Sequence, residues 1–394
     1  MASVSLDSDF DNYAMDTLHE WNRYGAIISV LKDGETISKG YGIRNISEES
    51  PNSETIFHIA SHSKPLTAAS IAILVDQGKL DWDDPVIEYI PEFSFKDKYT
   101  SNNITIRDIL CHRAGLPFLV GSLVDPEYTS QKLLTNLASA EPVARLRERH
   151  SYSNTGYGIA GEVVKRVTGI PWTEYVANKL FKPLKMTSTY STISDLRIQN
   201  GDPNVGNSFH SIILEDGELK QDKWGNGVNR LYATAGGVVT TGRDIGNWLS
   251  LNLNGGVFEG KRIINGESMN ELHRSQTVVE PLLYRGFSLD WNELHNPFGH
   301  FFTYGLGWFC YDYMGHKVDE HTGLGLNCSS ICVVPELNLG VSVCINVDSK
   351  YAGSDVWRDM RLAGALRMRI IDNYFGVSER DWCTIFMDTH KKYT

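Results

Sequence analysis

Strand-like segments occur near both ends of the 394-residue chain, and a mainly helical stretch separates them. Residues 26–32 and 35–43 resemble a β-hairpin that turns at Asp33-Gly34. After residue 300 the predicted strands are 302–313, 317–321, 326–334 and 339–347. The pattern predicts an α/β fold of the α+β type, in which both chain ends build one antiparallel sheet flanked by helices.

The same pattern predicts two lobes, which the chain length permits. The predicted helices are 8–24, 67–80, 105–112, 155–168, 242–254 and 355–374. We expect residues 1–66 and 230–394 to form a discontinuous α/β lobe with the antiparallel sheet, and residues 67–229 to form a mainly helical lobe. The active site would then lie between them.

The composition narrows the range of partners. The chain has 37 Lys and Arg against 48 Asp and Glu, a formal net charge of −11, and no long basic run. This balance argues against a nucleic-acid partner. The start of the sequence lacks a basic and apolar signal segment, and no apolar stretch of about 18 residues is present to cross a bilayer. We therefore expect a cytoplasmic protein without a membrane partner, whose oligomeric state the sequence does not indicate.

The six cysteines are sparse and include no Cys-x-x-Cys pair. Buried free thiols in a reducing compartment are expected, rather than disulfides or a zinc site. His58 and His62 are spaced to share a metal, but a packing or hydrogen-bonding role for His62 at the rim of a site is favoured. No metal or cofactor is expected.

The segment Ser61-His62-Ser63-Lys64 contains Ser-x-x-Lys just before a predicted helix. Such a pattern is expected about once by chance in a chain of this length, and Ser29-Val30-Leu31-Lys32 is a second copy. In a strand, residues three apart point to opposite faces, so Ser29 and Lys32 cannot meet. At a helix start they share a face, and the helix N-terminus favours a developing alkoxide. The Ser61 copy is the better candidate, although Ser61 and Ser63 could serve only as caps.

Two further patterns each occur once in the chain. Tyr152-Ser153-Asn154 precedes a predicted helix, which Ser153 or Asn154 could merely cap. His321-Thr322-Gly323 lies between two strand-like segments, where a turn with a surface histidine is the alternative. The sequence has no Gly-x-Ser-x-Gly elbow, no His-Glu-x-x-His pair and no phosphate-binding loop, so other hydrolase and nucleotide-binding classes are disfavoured.

Taken in order, the three patterns resemble those of the penicillin-recognising serine hydrolases. The most similar branch contains class C β-lactamases, D-alanyl-D-alanine carboxypeptidases and related esterases. Residues 104–117 are similar to the "LLTHTSGLP" helix end of this family, residues 235–241 to "AGGLVST" and residues 304–308 to "YGLGW". The resemblance runs from about residue 10 to about residue 375 and implies a β-lactamase/transpeptidase-like fold.

The resemblance also implies roles for the first two motifs. Ser61 would attack a carbonyl group and form an acyl-enzyme, and Lys64 and Tyr152 would remove and return its proton. Which of the two is the formal base stays open, since coupled groups can share that role. A positive charge on Lys64 could lower the pKa of Tyr152 and so allow it to act as a phenolate. Asn154 would hydrogen-bond either Lys64 or the acyl side chain of the substrate.

The third motif is implied to complete the substrate site, with His321, Thr322 and Gly323 beside the reacting carbonyl. The oxyanion hole would use the backbone N–H groups of Ser61 and Leu324. Many relatives have lysine in place of His321. Histidine occurs there in carboxypeptidase and esterase relatives, and it is mostly neutral at pH 7, which weakens the case for a β-lactam or a D-alanine terminus.

We therefore expect a serine hydrolase that cleaves an ester or amide of a small intracellular molecule, such as a secondary metabolite. The alternative is an acyltransferase or transesterase with the same acyl-Ser61 intermediate, and the third hypothesis is a non-catalytic ligand-binding protein. An aromatic set could line an apolar acyl pocket, although core packing is favoured for most of it. Its members are Trp291, Phe298, Phe301, Phe302, Tyr304 and Trp308.

Overall fold

An eight-stranded antiparallel sheet joins the two ends of the chain in the computed structural model. In spatial order its strands are Glu35–Gly42, Gly25–Lys32, Leu339–Asn346, Asn327–Val334, His316–Leu324, Phe309–Tyr313, Phe302–Tyr304 and Thr277–Val278. The N-terminal and C-terminal strands pair directly, with Ile28 opposite Val343. The predicted antiparallel sheet built from both chain ends is confirmed.

The structure describes residues 6–204, 206–216, 218–280, 282–284, 287–289, 301–347, 356–377 and 380–391. Within them the α-helices are Ser8–Glu20, Ser63–Asp76, Val86–Tyr89, Lys98–Asn103, Ile106–Leu110, Ser130–Leu137, Asn154–Thr168, Trp172–Val176, Ile193–Asn200, Ala233–Gly236, Gly242–Leu253, Gly266–Leu272, Val356–Phe375 and Trp382–Lys391. Short 3-10 turns span Ala60–His62 and Pro335–Leu337, and a π-helical turn spans Ala177–Phe181.

Short strand pairs lie outside the large sheet. They are Phe57–His58 with Val239–Thr240, Ile212–Glu215 with Glu218–Gln221, Val257–Phe258 with Lys261–Arg262, and Leu282–Tyr284 with Phe287–Leu289. The first pair places the segment that leads into Ser61 beside the segment that follows Ala235-Gly236-Gly237.

Helices cover both faces of the central strands. Every residue of Asn327–Val334 and Leu339–Asn346 is buried, including the serines and asparagines of these strands. The helices Gly242–Leu253 and Val356–Phe375 pack against these strands. Gly340 lets the first helix approach closely, because a Cβ atom at this position would lie 3.0 Å from the Cβ of Leu249.

Two element predictions need correction. The predicted strand 302–313 is two strands, because Gly305-Leu306-Gly307 turns the chain and Gly307 adopts a φ of +90° that favours glycine. The helix predicted from Thr67 begins at Ser63 and ends at Asp76. The division at residue 66 therefore falls inside a helix, and the two-lobe description stays a prediction.

Other features follow the sequence closely. All six cysteines are buried with free thiols, as predicted. Ser29 lies in a strand, where its hydroxyl contacts Ser38 and donates to the carbonyl of Gly242, while Lys32 pairs with Asp33. No helix in the described ranges is long and apolar enough to cross a membrane.

Candidate active site

Ser61 lies on a 3-10 turn immediately before the helix Ser63–Asp76 and is half-buried. Ala60 precedes it with a φ of +44°, an uncommon conformation for a residue with a side chain. Ser63 braces the turn, since its hydroxyl donates to the carbonyl of Ala60 at 2.7 Å and accepts from the N–H of Val238 at 3.1 Å. The N-cap residue of the helix is His62, not Ser61, and the hydroxyl of Ser61 meets the amine of Lys64.

Lys64 brings a buried amine to this hydroxyl. Its Nζ lies 3.1 Å from the Oγ of Ser61 and donates to the carbonyl oxygen of Ala235 at 2.9 Å. The side chain has no exposed surface. Among the ion pairs of the described residues, none joins Lys64 to a carboxylate. Burial without a counter-charge holds the pKa of Lys64 well below its ordinary value of 10.5.

Tyr152 lies on the other side of this amine. The Nζ of Lys64 is 4.6 Å from the centre of the Tyr152 ring, and Tyr157 is the next ring at 5.5 Å. Burial raises the pKa of the Tyr152 phenol above its ordinary value of 10, and a hydrogen bond with Ser61 partly offsets that rise. These shifts favour a neutral phenol for Tyr152 and move Lys64 toward its uncharged form, in place of the phenolate that a charged Lys64 could support.

Asn154 begins the helix Asn154–Thr168, and Ser153 caps it by accepting from the N–H of Gly156 at 3.3 Å. The Oδ1 atom of Asn154 is buried and has no hydrogen-bond partner among the described residues. The amine of Lys64 bonds Ser61 and Ala235 instead. Of the two roles considered for Asn154, contact with a substrate is the one that this arrangement favours.

His321 lies inside the strand His316–Leu324 and is only 1% exposed, so it is not a surface turn residue. Its Nδ1 is 2.6 Å from the carbonyl oxygen of Thr322, and its Nε2 is 3.0 Å from the hydroxyl of Tyr304. A carbonyl can only accept, so Nδ1 carries a proton and Nε2 accepts from the phenol in the neutral ring. Both ring nitrogens are thus engaged within the protein.

The end of this strand approaches the Ser61 turn very closely. A Cβ atom at Gly323 would lie 2.1 Å from the carbonyl oxygen of Ile59, so only glycine fits there. Ser329, on the neighbouring strand, donates to the same carbonyl at 3.0 Å. Leu324 follows Gly323 at the end of the strand, half-buried. The contact places the backbone of Leu324 beside the Ser61 turn.

His58 and His62 have separate partners. The Nε2 of His58 lies 2.7 Å from the carbonyl of Gly236, and its Nδ1 accepts from the N–H of Leu326 at 3.4 Å. The Nε2 of His62 accepts from the indole of Trp248 at 3.0 Å. Burial lowers the pKa of His58 to about 4 and that of His62 to about 3. His62 has the predicted hydrogen-bonding role, but it is fully buried and does not lie at a rim.

The aromatic set divides between core and surface. Phe302, Tyr304 and Trp308 are buried, and Phe301 is exposed. Trp291 and Phe298 lie outside the described residues. Phe118, which was not part of the set, is 56% exposed, and its ring lies 6.2 Å from that of Tyr152. Phe118 therefore offers an exposed apolar surface next to the candidate catalytic residues.

The structure thus brings together Ser61, Lys64, Tyr152 and His321, with Gly323 against the turn that carries Ser61. The carbonyl of Ala235 and the hydroxyl of Tyr304 also contact these residues, and neither contact was predicted, although Tyr304 belonged to the predicted aromatic set. Both belong to segments that resemble family motifs, but a motif match does not tell which atom makes a contact. A buried lysine amine beside a serine hydroxyl is an arrangement that can activate a nucleophile.

A family model described as Beta-lactamase matches residues 10–365. The chain is 27% identical over 89% of its length to the unguisins hydrolase ungD' of Aspergillus campestris, and it spans 64% of that protein.

Among solved structures, the octameric penicillin-binding protein homologue from Pyrococcus abyssi aligns over 96% of this chain and 80% of its own, at 22% identity and a TM-score of 0.75. The class C beta lactamase from Rhodobacter sphaeroides aligns over 92% of this chain and all of its own, at 18% identity and a TM-score of 0.68. These two similarities indicate the fold. With the family match across most of its length, the chain belongs to the Beta-lactamase family.

Proposed function

We propose that this protein cleaves an ester or amide of a small molecule through an acyl-enzyme on Ser61. The observation that carries the proposal is the distance of 3.1 Å between the Nζ of Lys64 and the Oγ of Ser61. Burial lowers the pKa of Lys64 and so increases the fraction of unprotonated amine that can accept a proton. A surface lysine with its ordinary pKa would be protonated and could not do so.

In the proposed acylation step, the Oγ of Ser61 bonds to the carbonyl carbon of the substrate while its proton passes to the Nζ of Lys64. Tyr152, hydrogen-bonded to Ser61, then relays a proton to the leaving alcohol or amine as the bond to the carbonyl carbon breaks. The phenol is suited to this donor role because its raised pKa keeps it protonated. Water next attacks the acyl carbon and gives a proton to these groups, which return a proton to the Oγ of Ser61 as the bond from Oγ to the acyl carbon breaks and the acid leaves.

Two backbone N–H groups would stabilise the oxyanion that forms at each step, those of Ser61 and Leu324. The support is the close approach that Gly323 permits between the strand end and the Ser61 turn. The unpartnered amide oxygen of Asn154 would accept from an N–H or O–H on the acyl part of the substrate.

We further propose a substrate without a carboxylate next to the scissile bond. Both ring nitrogens of His321 are engaged, one by the carbonyl of Thr322 and the other by Tyr304. Neither ring nitrogen then remains to donate to an anionic group on the substrate. The exposed ring of Phe118 favours an apolar acyl or leaving group. The Aspergillus relative named as a hydrolase supports hydrolysis over transfer.

Transfer of the acyl group to an alcohol or amine would use the same intermediate, and only access of water separates the two outcomes. The proposal is tested by hydrolysis of neutral p-nitrophenyl esters and of matched esters that carry a carboxylate. We expect turnover of the neutral esters to be lost in Ser61→Ala and kept in Ser29→Ala, the serine of the second Ser-x-x-Lys. Turnover by Ser61→Ala equal to that of the wild-type protein refutes the proposal. A product ratio that shifts from the free acid to the new ester when an alcohol is added favours the acyltransferase.

A further inference from the structure

His112 is a buried histidine that contacts the Tyr152 segment through both its backbone and its ring. Its carbonyl accepts from the N–H of Ser151 at 2.6 Å, and its ring Nδ1 accepts from the N–H of Ser153 at 3.0 Å. The two donors flank Tyr152 in the chain. The imidazole ring itself lies 4.3 Å from the phenol ring, at an interplanar angle of 36°.

This double contact depends on an uncommon backbone conformation. His112 has a φ of +62°, in the left-handed region, directly after the helix Ile106–Leu110. Among residues with side chains, asparagine, aspartate and histidine adopt this region most readily. The conformation is unfavourable for a residue with a side chain and persists where the surrounding contacts hold it.

The hydrogen bond from Ser153 also fixes the protonation of the ring. A backbone N–H can only donate, so Nδ1 must be unprotonated, and in the neutral ring the proton resides on Nε2. Nε2 is buried and has no hydrogen-bond partner among the described residues. The ring therefore contributes to the Tyr152 segment through Nδ1 and through its face.

The groups that surround the ring favour this neutral form. Its nearest rings besides Tyr152 are Tyr304 at 4.7 Å, and Tyr157 and His150 at 5.4 Å each. Burial, with Lys64, His150 and His321 nearby, holds the pKa of His112 well below its usual value of 6.5. No carboxylate among the described residues contributes to stabilising an imidazolium there.

We infer that His112 is the positioning residue for Tyr152, and that it acts as a neutral imidazole whose Nδ1 holds the Ser153 N–H while its ring packs against the phenol. The inference rests on the proposed function, because it assigns a role that operates through the proton transfer of Tyr152. It makes two claims that can be separated: the hydrogen-bond acceptor is needed, and the effect passes through the phenol.

A double-mutant cycle tests the second claim. His112→Phe keeps a flat ring but removes the acceptor, and we expect it to lower kcat by roughly 10- to 100-fold with little change in KM, by loss of general acid–base catalysis. In a Tyr152→Phe background the same change should have almost no further effect, since residues that act together are not additive. Losses that multiply in the double variant would overturn the inference.

His112→Asn tests the first claim, because its Oδ1 can replace Nδ1 as the acceptor and asparagine tolerates the left-handed conformation. We expect this variant to keep more activity than His112→Phe, and the reverse order would overturn the inference. His210→Phe is the matched control at another buried histidine, whose ring contacts the carbonyl of Asp222, and it should leave kcat unchanged. Thermal unfolding of each variant separates loss of stability from loss of positioning.

Ring nitrogen NMR gives a readout that does not depend on activity. The His112 signals, assigned by their loss in His112→Asn, should report an unprotonated Nδ1 and a protonated Nε2 from about pH 6 to pH 8. A protonated Nδ1 in this range would overturn the inference. If Ser61→Ala retains full activity, the proposed function fails while the NMR result still decides the state of the ring.

Discussion

Lys64 holds its Nζ between two oxygens, 3.1 Å from the Oγ of Ser61 and 2.9 Å from the carbonyl of Ala235, in a place with no access to solvent. The carbonyl orients the amine and cannot take a proton from it. The serine hydroxyl is then the group that can exchange a proton with the neutral amine. Predictions about pH, stability and activity follow from this relationship.

The pH dependence should follow the ionisation of Lys64. Because its pKa is lowered by burial, kcat/KM should rise with pH through a value well below 10.5, as the protonated amine becomes a base. Activity should fall again only in the alkaline range, where the Tyr152 phenol with its raised pKa ionises. The measurement is a kcat/KM profile with a neutral ester. An activity that rises only near pH 10.5 would show a lysine with its ordinary pKa.

Lys64→Met should remove activity and stabilise the fold. In the wild-type protein the amine must lose its proton on burial at any pH between its folded pKa and 10.5, which costs free energy. We expect a gain of about 1 kcal/mol in the free energy of unfolding and a loss of at least about 100-fold in kcat. Because the unfolded lysine deprotonates near 10.5, the gain should shrink as the pH approaches that value. Urea unfolding at several pH values measures it, and a destabilised variant would contradict the account.

Tyr152→Phe should separate chemistry from binding. The phenol hydroxyl is the atom placed to relay the proton, while the ring packs against His112 and near Phe118. Phenylalanine keeps the ring, so we expect kcat to fall by about 100-fold or more with KM nearly unchanged. Steady-state kinetics with a poor and a good leaving group provides the check. The loss should be larger for the poor one, and equal losses would argue against a proton-donor role.

Gly323→Ala should disturb the site through the backbone. The added methyl group would lie 2.1 Å from the carbonyl oxygen of Ile59, so either the strand end or the Ser61 turn must move. We expect a loss of about 1–3 kcal/mol in stability and a fall in kcat larger than that in substrate affinity. Gly225→Ala is the control, since no atom lies within 4 Å of a Cβ at that position. If Gly323→Ala has the kinetic constants of the wild-type protein, the close approach is not needed for activity.

The sequence predicted the sheet and most of the candidate site for a physical reason. Alternating and continuous apolar segments report which faces are buried, and helical spacing reports that Ser61 and Lys64 share a face. The predicted strand 317–321 ended at His321, with a surface turn as the alternative, whereas the observed strand continues to Leu324. Gly323 thus lies inside the strand and not in a turn, and it is glycine because no side chain fits beside the carbonyl of Ile59.

What the sequence could not predict are contacts between distant segments that use backbone atoms. The carbonyl of Ala235 orients Lys64 from 171 positions away in the chain, and His112 holds Tyr152 through one carbonyl and one ring nitrogen. The protonation of Lys64 is likewise set by burial, which a local motif does not contain. The raised pKa of Tyr152, which keeps its phenol neutral, has the same cause.

Intact-mass analysis after treatment with a fluorophosphonate measures whether Ser61 carries the acyl group. The account predicts one covalent adduct on the wild-type protein and on Ser29→Ala, and none on Ser61→Ala. Lys64→Met should be labelled more slowly by at least about 100-fold, because the hydroxyl loses its base. An adduct of equal yield on Ser61→Ala would contradict the account.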